Sequence, residues 1–337
     1  MDSLTQGLLG AATFAIIKDK EIGKKSLLIG AVAGTLPDLD VLLAPFFSDI
    51  EFLTIHRSVS HSIVLAIALS LILGEVFFRC YKRKQARRSW HIAFFLSIFT
   101  HSILDWFTTY GTKLISPFDD HLFSLNSIHV FEPIYTAILL SGICLHLIKS
   151  RKKIKSNAIK YSLIVSSCYL LVGMVSKNHA YYHFKTQLDE NNMAYEEILV
   201  SPTPLNILLW HGIVKQSDGY QFSTYSIFDR KKPIKFEFVK SNNDVIKEVA
   251  KERLIKYYLE YTQGFPLIQK DDDGNVEIYA IKYGPINYFG KPEFVYPLSF
   301  NLNNLSEEEI RIDSDNKHKG PVKNYKNLFK RIICQQQ

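Results

Sequence analysis

Long apolar blocks alternate with short charged stretches through the first half of the chain, and the alternation stops near residue 176. The clearest block is 63–78, interrupted only by Ser70, Gly74 and Glu75. Further blocks lie at 26–47, 90–107, 128–148 and 159–176. Each approaches the roughly 20 apolar residues that a helix needs to cross a bilayer. The first block, 4–17, has about 14 residues and reads as a tilted, re-entrant or interfacial helix. Pro37 disfavours helix at Leu36, so a bend is expected at Leu36-Pro37-Asp38-Leu39-Asp40. Residues 108–127, with Gly111, Pro117, Asp119, Asp120 and His121, read as a loop. The last block is expected to run on as a helix through Tyr181 and His183.

Beyond residue 177 the texture changes. The short runs 207–214, 220–228, 234–239, 276–282 and 294–300 are rich in β-branched and aromatic residues. Turn signals such as Ser217-Asp218-Gly219 and Asp271-Asp272-Asp273-Gly274 separate them. Residues 243–263 have the spacing of an amphipathic helix, and the polar tail from 301 is expected to be partly frayed. The expected fold is an α-helical multi-pass membrane bundle of about five to six hydrophobic segments over 1–176. A small soluble α+β domain is expected to follow over 177–337.

Charge sharpens this picture. A net charge of +7 would ordinarily raise nucleic acid as a partner. Much of the excess, however, sits in two clusters abutting apolar blocks. These are Arg79, Lys82, Arg83, Lys84, Arg87 and Arg88, then Lys149, Arg151, Lys152, Lys153, Lys155 and Lys160. Such placement marks cytoplasmic loops and argues for membrane lipids, with no nucleic acid. In a count of six segments these clusters and residues 18–25 fall on one side, which leaves the remaining loops and the soluble domain outside. Cys80, Cys144, Cys168 and Cys334 show no paired spacing, so neither a disulfide framework nor a cysteine metal site is expected. Met1-Asp2-Ser3 carries an acid and no basic region, which argues against a cleaved signal peptide.

The candidate chemistry lies in polar residues that interrupt apolar sequence. His101 and Asp105 are four apart, on one face of a helix. Such a pair in an apolar helix is costly unless paired or coordinated. Asp38 and Asp40 repel each other unless a cation lies between them. His56 and His61 stand at the mouth of the 63–78 block, and imidazole is both a common metal ligand and a general base. Taken singly, each could be a packed polar residue or a helix cap. Together they give a candidate ligand set of Asp38, Asp40, His56, His61, His101 and Asp105 from three segments on the expected outer side. Ser60, Ser62 and Thr100 are candidates to hydrogen-bond the ligands. Glu132, Asp119 and His121 are weaker candidates near the same face. Histidine with carboxylate suits zinc, manganese or iron, and zinc is expected. A metal there would activate water and clamp a phosphoryl or carbonyl group, with the base among Asp38, Asp40 and Asp105.

At these residues the sequence resembles the YdjM-like family of membrane-bound metal-dependent hydrolases. The resemblance rests on Met1-Asp2-Ser3-Leu4-Thr5-Gln6, on Gly34-Thr35-Leu36-Pro37-Asp38-Leu39-Asp40 and on His56-Arg57-Ser58-Val59-Ser60-His61-Ser62. It also rests on the run Thr100-His101-Ser102-Ile103-Leu104-Asp105-Trp106, continuing to Thr112. It implies an inner-membrane protein with a helical metal site. Through a distant similarity to zinc-dependent phospholipase C and P1 nuclease, it also implies phosphoester hydrolysis, including of phospholipid head groups. Some members carry a histidine where this chain has Gln6. The alternative expectation is a membrane-anchored interaction protein whose His/Asp cluster is structural. An ion carrier is disfavoured, because the charges gather at one face rather than along a pathway.

Overall fold

The computed structural model describes residues 1–81, 86–151, 157–229, 234–313 and 321–333. Lys82, Arg83 and Lys84 of the first basic cluster, Lys152, Lys153 and Lys155 of the second, and Cys334 lie outside the described residues. The chain forms two compact units, 1–43 with 55–173, and 44–54 with 174–337.

The first stretch of chain is built from helices, with residues 107–132 a loop as expected. In order come Ser3–Ile22 (α1), Lys25–Thr35 (α2), a 3-10 segment Pro37–Phe46, Asp49–Ile55 (α3) and a 3-10 turn Val59–His61. Ile63–Tyr81 (α4), Arg87–Trp106 (α5), Pro133–Arg151 (α6) and Ala158–Glu190 (α7) follow. Helix α1 begins where Asp2 caps it, accepting the Thr5 amide at 3.0 Å and the Thr5 hydroxyl at 2.7 Å. It ends at Gly23, whose φ of 61° reverses the chain at little steric cost.

Helices α1 and α2 cross backbone to backbone. A Cβ on Gly34 would stand 2.7 Å from the Gly10 Cα, and one on Gly10 would stand 2.5 Å from the Gly30 carbonyl oxygen. Gly30 and Gly34 are one turn apart, the small-residue spacing that lets apolar helices approach closely. Helix α5 packs against α1, α2 and α4. Phe14, Ala33, Ala66, Trp90, Phe94 and Ile98 fill the space between them. The buried Lys18 is satisfied by Glu21 at 2.6 Å and by the Trp90 ring at 4.1 Å.

Five to six membrane spans are not what these helices support. Among the described residues only α4 and α7 are long and apolar enough to cross a bilayer; a third span is added if α2 and the 3-10 segment, bent by 43°, count as one broken or re-entrant element. The physical reasons are local. The last turns of α1 carry Lys18, Asp19, Lys20 and Glu21, and α5 opens on Arg87 and Arg88 and holds His101 and Asp105. The apolar part of α6 runs only from Pro133 to Lys149. Helix α7 does continue past Tyr181 and His183, over 33 residues in all.

The second unit holds two antiparallel four-stranded meanders. Glu197–Pro202 (β1), Leu209–Gln216 (β2), Gly219–Ser226 (β3) and Glu237–Lys240 (β4) pair in sequence order. Pro266–Lys270 (β5), Asn275–Ala280 (β6), Leu298–Asn301 (β7) and Arg311–Ile312 (β8) form the other sheet. Ile213, Tyr220 and Phe222 of the first sheet share a core with Leu267 and Tyr279 of the second. Asp271, at the β5–β6 turn, is held below the usual carboxylate range by hydrogen bonds from the Asn275 side chain and then its amide.

The single helix expected over 243–263 is two, Asp244–Val249 (α8) and Arg253–Thr262 (α9), because Glu252 is extended and restarts the chain as the N-cap of α9. Both pack on the second sheet through Val249, Ile255 and Tyr258, and Ile50 of α3 joins that cluster. Each fully buried side chain of this size contributes about 1.5–3 kcal/mol. Within the tail, residues 314–320 and 334–337 lie outside the described residues. Pro321–Ile333 (α10) buries Leu328 and Ile332 against Leu209 and Tyr288.

Candidate metal centre

Four of the candidate ligands meet in one place. Asp38, His61, His101 and Asp105 each offer one ligand atom, and these atoms all lie within 4.8 Å of one another. Each comes from a different local device. His101 and Asp105 project one turn apart from α5, and His61 closes the 3-10 turn before α4. Asp38 sits just after the α2 bend.

The separations fit a specific polyhedron. His61 Nε2 lies 3.1 Å from His101 Nε2, 3.4 Å from Asp38 Oδ1 and 3.3 Å from Asp105 Oδ2. His101 Nε2 lies 3.3 Å from Asp38 Oδ1 and 3.5 Å from Asp105 Oδ2. Nitrogen and oxygen ligands about 2.0–2.2 Å from a tetrahedral metal would be about 3.3–3.6 Å apart. Five of the six edges therefore have close to the length that one four-coordinate ion requires.

The protons agree with this reading. His101 Nδ1 lies 2.7 Å from the Gly34 carbonyl oxygen, which can only accept, so the ring donates there, and in its neutral form it turns the Nε2 lone pair to the cluster. Ser60 donates its hydroxyl proton to Asp40 Oδ2 at 2.6 Å and accepts from His61 Nδ1 at 2.8 Å. That leaves the His61 Nε2 as a second lone pair facing the first. Asp105 Oδ2 is buried with no hydrogen-bond partner among the described residues. With both imidazoles neutral, two nitrogen lone pairs and two carboxylate oxygens converge here, a donor set that a divalent cation satisfies.

Asp40 and His56 stand beside this group rather than in it. In a 3-10 helix, residues two apart point in different directions. Asp38 accordingly faces His61 and His101, whereas Asp40 accepts from His56 Nδ1 at 2.9 Å, from Ser60 and from the Arg57 amide at 3.2 Å. Asp40 thereby orients His61 through Ser60, an outer carboxylate behind a ligand histidine. Ser62 and Thr100 hydrogen-bond backbone carbonyls of their own segments instead of ligands. Asp119 and His121 are exposed in the loop after α5. Glu132 is buried and accepts from the Tyr169 hydroxyl at 2.6 Å, outside the metal group.

Three contributors were not read as site residues from sequence. Gln6 donates its Nε2 to Asp105 Oδ1 at 3.0 Å and to the His101 carbonyl at 3.3 Å, while its buried Oε1 has no partner among the described residues. The Met1 amino group lies against the same Asp105 oxygen. Arg57 is buried, with a guanidinium nitrogen 3.3 Å from Asp105 Oδ1, another donating to Thr108 at 2.9 Å, and Nε unpartnered among the described residues. Its guanidinium lies 4.7 Å from the Tyr110 ring centroid. The Arg57 φ of 62° is an uncommon conformation for a residue other than glycine, held in place by the Lys113 amide donating to its carbonyl at 2.9 Å. The available signal was position: Arg57 lies inside the histidine motif.

The family model described as YdjM inner membrane protein matches residues 1–180. No curated protein and no solved structure matches the chain. The matched region covers more than half of the sequence and includes every residue of the His/Asp cluster together with α4 and most of α7. The chain belongs to the YdjM inner membrane protein family.

Proposed function

We propose that this membrane protein is a metal-dependent hydrolase of phosphoesters, with zinc held by Asp38, His61, His101 and Asp105. The observation that carries the reading is Arg57. A divalent ion balances the charges of Asp38 and Asp105, and Arg57 then adds a buried positive charge with an unpartnered N–H beside the cluster. A buried cation beside a metal suits an anionic, phosphoryl-bearing ligand. When bound, the metal supplies Lewis acidity that activates water and polarises the phosphoryl group. The chain's own residues do the rest. Gly34 and Ser60 hold the two imidazoles with their lone pairs inward, Gln6 fixes the Asp105 carboxylate, and Arg57 binds the anion. Asp38 is the partly open ligand, its side chain 19% exposed against 0% for the other three. Its carboxylate is the group best placed to exchange a proton with solvent or substrate.

The reading puts the site on the outer face. Helix α4 begins two residues after His61 and ends beyond Arg79, with Arg87 and Arg88 following. The basic residues and the site thus stand at opposite ends of one span, and basic residues favour the cytoplasmic side. Helix α7 follows the second basic cluster and so would run in the sense opposite to α4, which would carry the soluble domain outside as well.

One observation favours a second reading. Four protein ligands at tetrahedral spacing describe a closed site, the form typical of structural zinc. The tests separate the two. Elemental mass spectrometry on detergent-purified protein should find about one equivalent of metal, lost in His101→Ala and Asp105→Ala. Arg57→Met should keep that metal and lose phosphoester turnover by at least about 10²-fold, the scale of one transition-state donor. Stoichiometric metal with no turnover in any phosphoester screen would leave the structural reading standing.

A further inference from the structure

Asp38 of the centre and Asp40 behind it are carried on a turn that has nothing else polar. Residues 36–43 read Leu-Pro-Asp-Leu-Asp-Val-Leu-Leu. Asp40 is buried and Asp38 half-buried, while Leu39, Val41, Leu42 and Leu43 are all exposed, Leu42 by 67%. Val59, within the turn that carries His61, is exposed too. The exposed apolar surface continues back along α2 through Val32 and Leu28. So many exposed apolar side chains along one short stretch mark a membrane or interaction surface. Here α2 and the 3-10 segment together have the composition of a broken or re-entrant membrane element. The open edge of the metal centre, at Asp38, therefore adjoins an apolar surface continuous with a membrane element.

We propose that the ligand-bearing turn lies in the lipid leaflet and that the substrate reaches the centre laterally, as an amphiphile: a phosphate ester of a long-chain lipid alcohol. The inference rests on the hydrolase reading and specifies its substrate class. Its acyl chains would lie along Leu39, Leu42 and Leu43 while its phosphate meets Asp38's edge of the cluster and Arg57. In the reaction, water forms a new P–O bond and the ester P–O bond breaks. The lipid alkoxide leaves and takes up a proton, giving the free lipid alcohol and inorganic phosphate. Apolar contact would strengthen binding with each methylene buried, so chain length is the sensitive variable.

The test uses the full chain, with Cys80, Cys144, Cys168 and Cys334 replaced by serine, in phosphatidylcholine/phosphatidylglycerol vesicles. A spin label at Leu42→Cys, and separately at Leu39→Cys, is scored for collision with oxygen against a water-soluble nickel chelate. Metal content checks that each protein is folded. The same vesicles are assayed with dioleoyl phosphatidic acid, and with its dibutyryl analogue in solution. The expected result is labels that meet oxygen preferentially, and dioleoyl substrate hydrolysed at least about 10-fold faster at equal concentration. Labels reached mainly by the nickel chelate would overturn the placement while leaving the metal centre intact. Lipid-facing labels with equal or faster hydrolysis of the dibutyryl ester would overturn lateral access. Lipid-facing labels, full metal and no hydrolysis of either ester would remove the hydrolase reading itself, and this inference with it.

Discussion

Gly34 links the packing of the helices to the chemistry of the centre, and Gly34→Ala tests that link. A Cβ at this position would lie 2.7 Å from the Gly10 Cα and 2.9 Å from the Gln6 carbonyl oxygen, both backbone atoms that cannot rotate away. Ordinary contact needs α1 and α2 to separate by about 0.7 Å, and overpacking of this kind typically costs about 1–3 kcal/mol. The gain in helix propensity, about 1 kcal/mol, offsets only part of it. The larger effect should fall on the centre. The Gly34 carbonyl holds His101 Nδ1, and Gln6, one turn before Gly10, holds Asp105. Displacing both supports should weaken metal binding by about 10–100-fold, the usual effect of losing such partners. The assay is competitive zinc titration against a chromophoric chelator in detergent, with thermal unfolding alongside. Gly7→Ala is the internal control on the same helix pair, since its Cβ would meet the Thr35 methyl at 3.5 Å and the Ala31 carbonyl oxygen at 3.9 Å, both ordinary contacts. If Gly34→Ala bound zinc as tightly as Gly7→Ala and wild type, the chain of reasoning from backbone crossing to ligand orientation would fail.

Asp40→Asn should retain one equivalent of metal but bind it about 10–100-fold more weakly, because Asp40 orients His61 only through Ser60; equilibrium titration distinguishes this from the outright loss expected for Asp38→Ala. Gln6→Ala should lower metal affinity to a similar degree, since it removes a donor to Asp105; unchanged affinity would mean that the carboxylate is held without it. In the second unit, Arg331→Met removes a buried guanidinium that makes a two-pronged contact with Asp229 at 2.7 and 3.0 Å and also donates to the Thr224 carbonyl. It should destabilise that unit by about 3 kcal/mol, read by denaturant unfolding of the full chain, because Asp229 is left without its partner. A loss below about 1 kcal/mol would place the pair among solvent-screened surface contacts.

Much of the local structure was already written in the sequence. Long apolar runs such as 63–78 form helices because a chain in an apolar environment must satisfy its backbone hydrogen bonds internally. Pro37 marks the bend, and the runs around Leu209–Gln216 and Gly219–Ser226 form strands joined by the turn at Ser217-Asp218. The strands Glu197–Pro202, Pro266–Lys270 and Arg311–Ile312 escaped notice because each is two to six residues long and carries no alternating pattern distinct from a loop. Their pairing partners, not their own residues, make them strands.

The sequence also determined which residues had chemistry to offer, because ionisable groups in apolar blocks stand out by their cost. It could not divide them. Asp38 and Asp40 are the same residue type two positions apart, and so are equal candidates until the 3-10 turn sends one to His61 and His101 and the other to His56 and Ser60. Nor could it assign the backbone carbonyl of Gly34 to His101 or the amide of Gln6 to Asp105, since those contacts span 67 and 99 positions. Composition and periodicity act within a turn or two of the chain, and so they fix elements and candidates. Ligand geometry depends on tenths of an ångström between distant segments, and only the crossing of α1, α2 and α5 decides it.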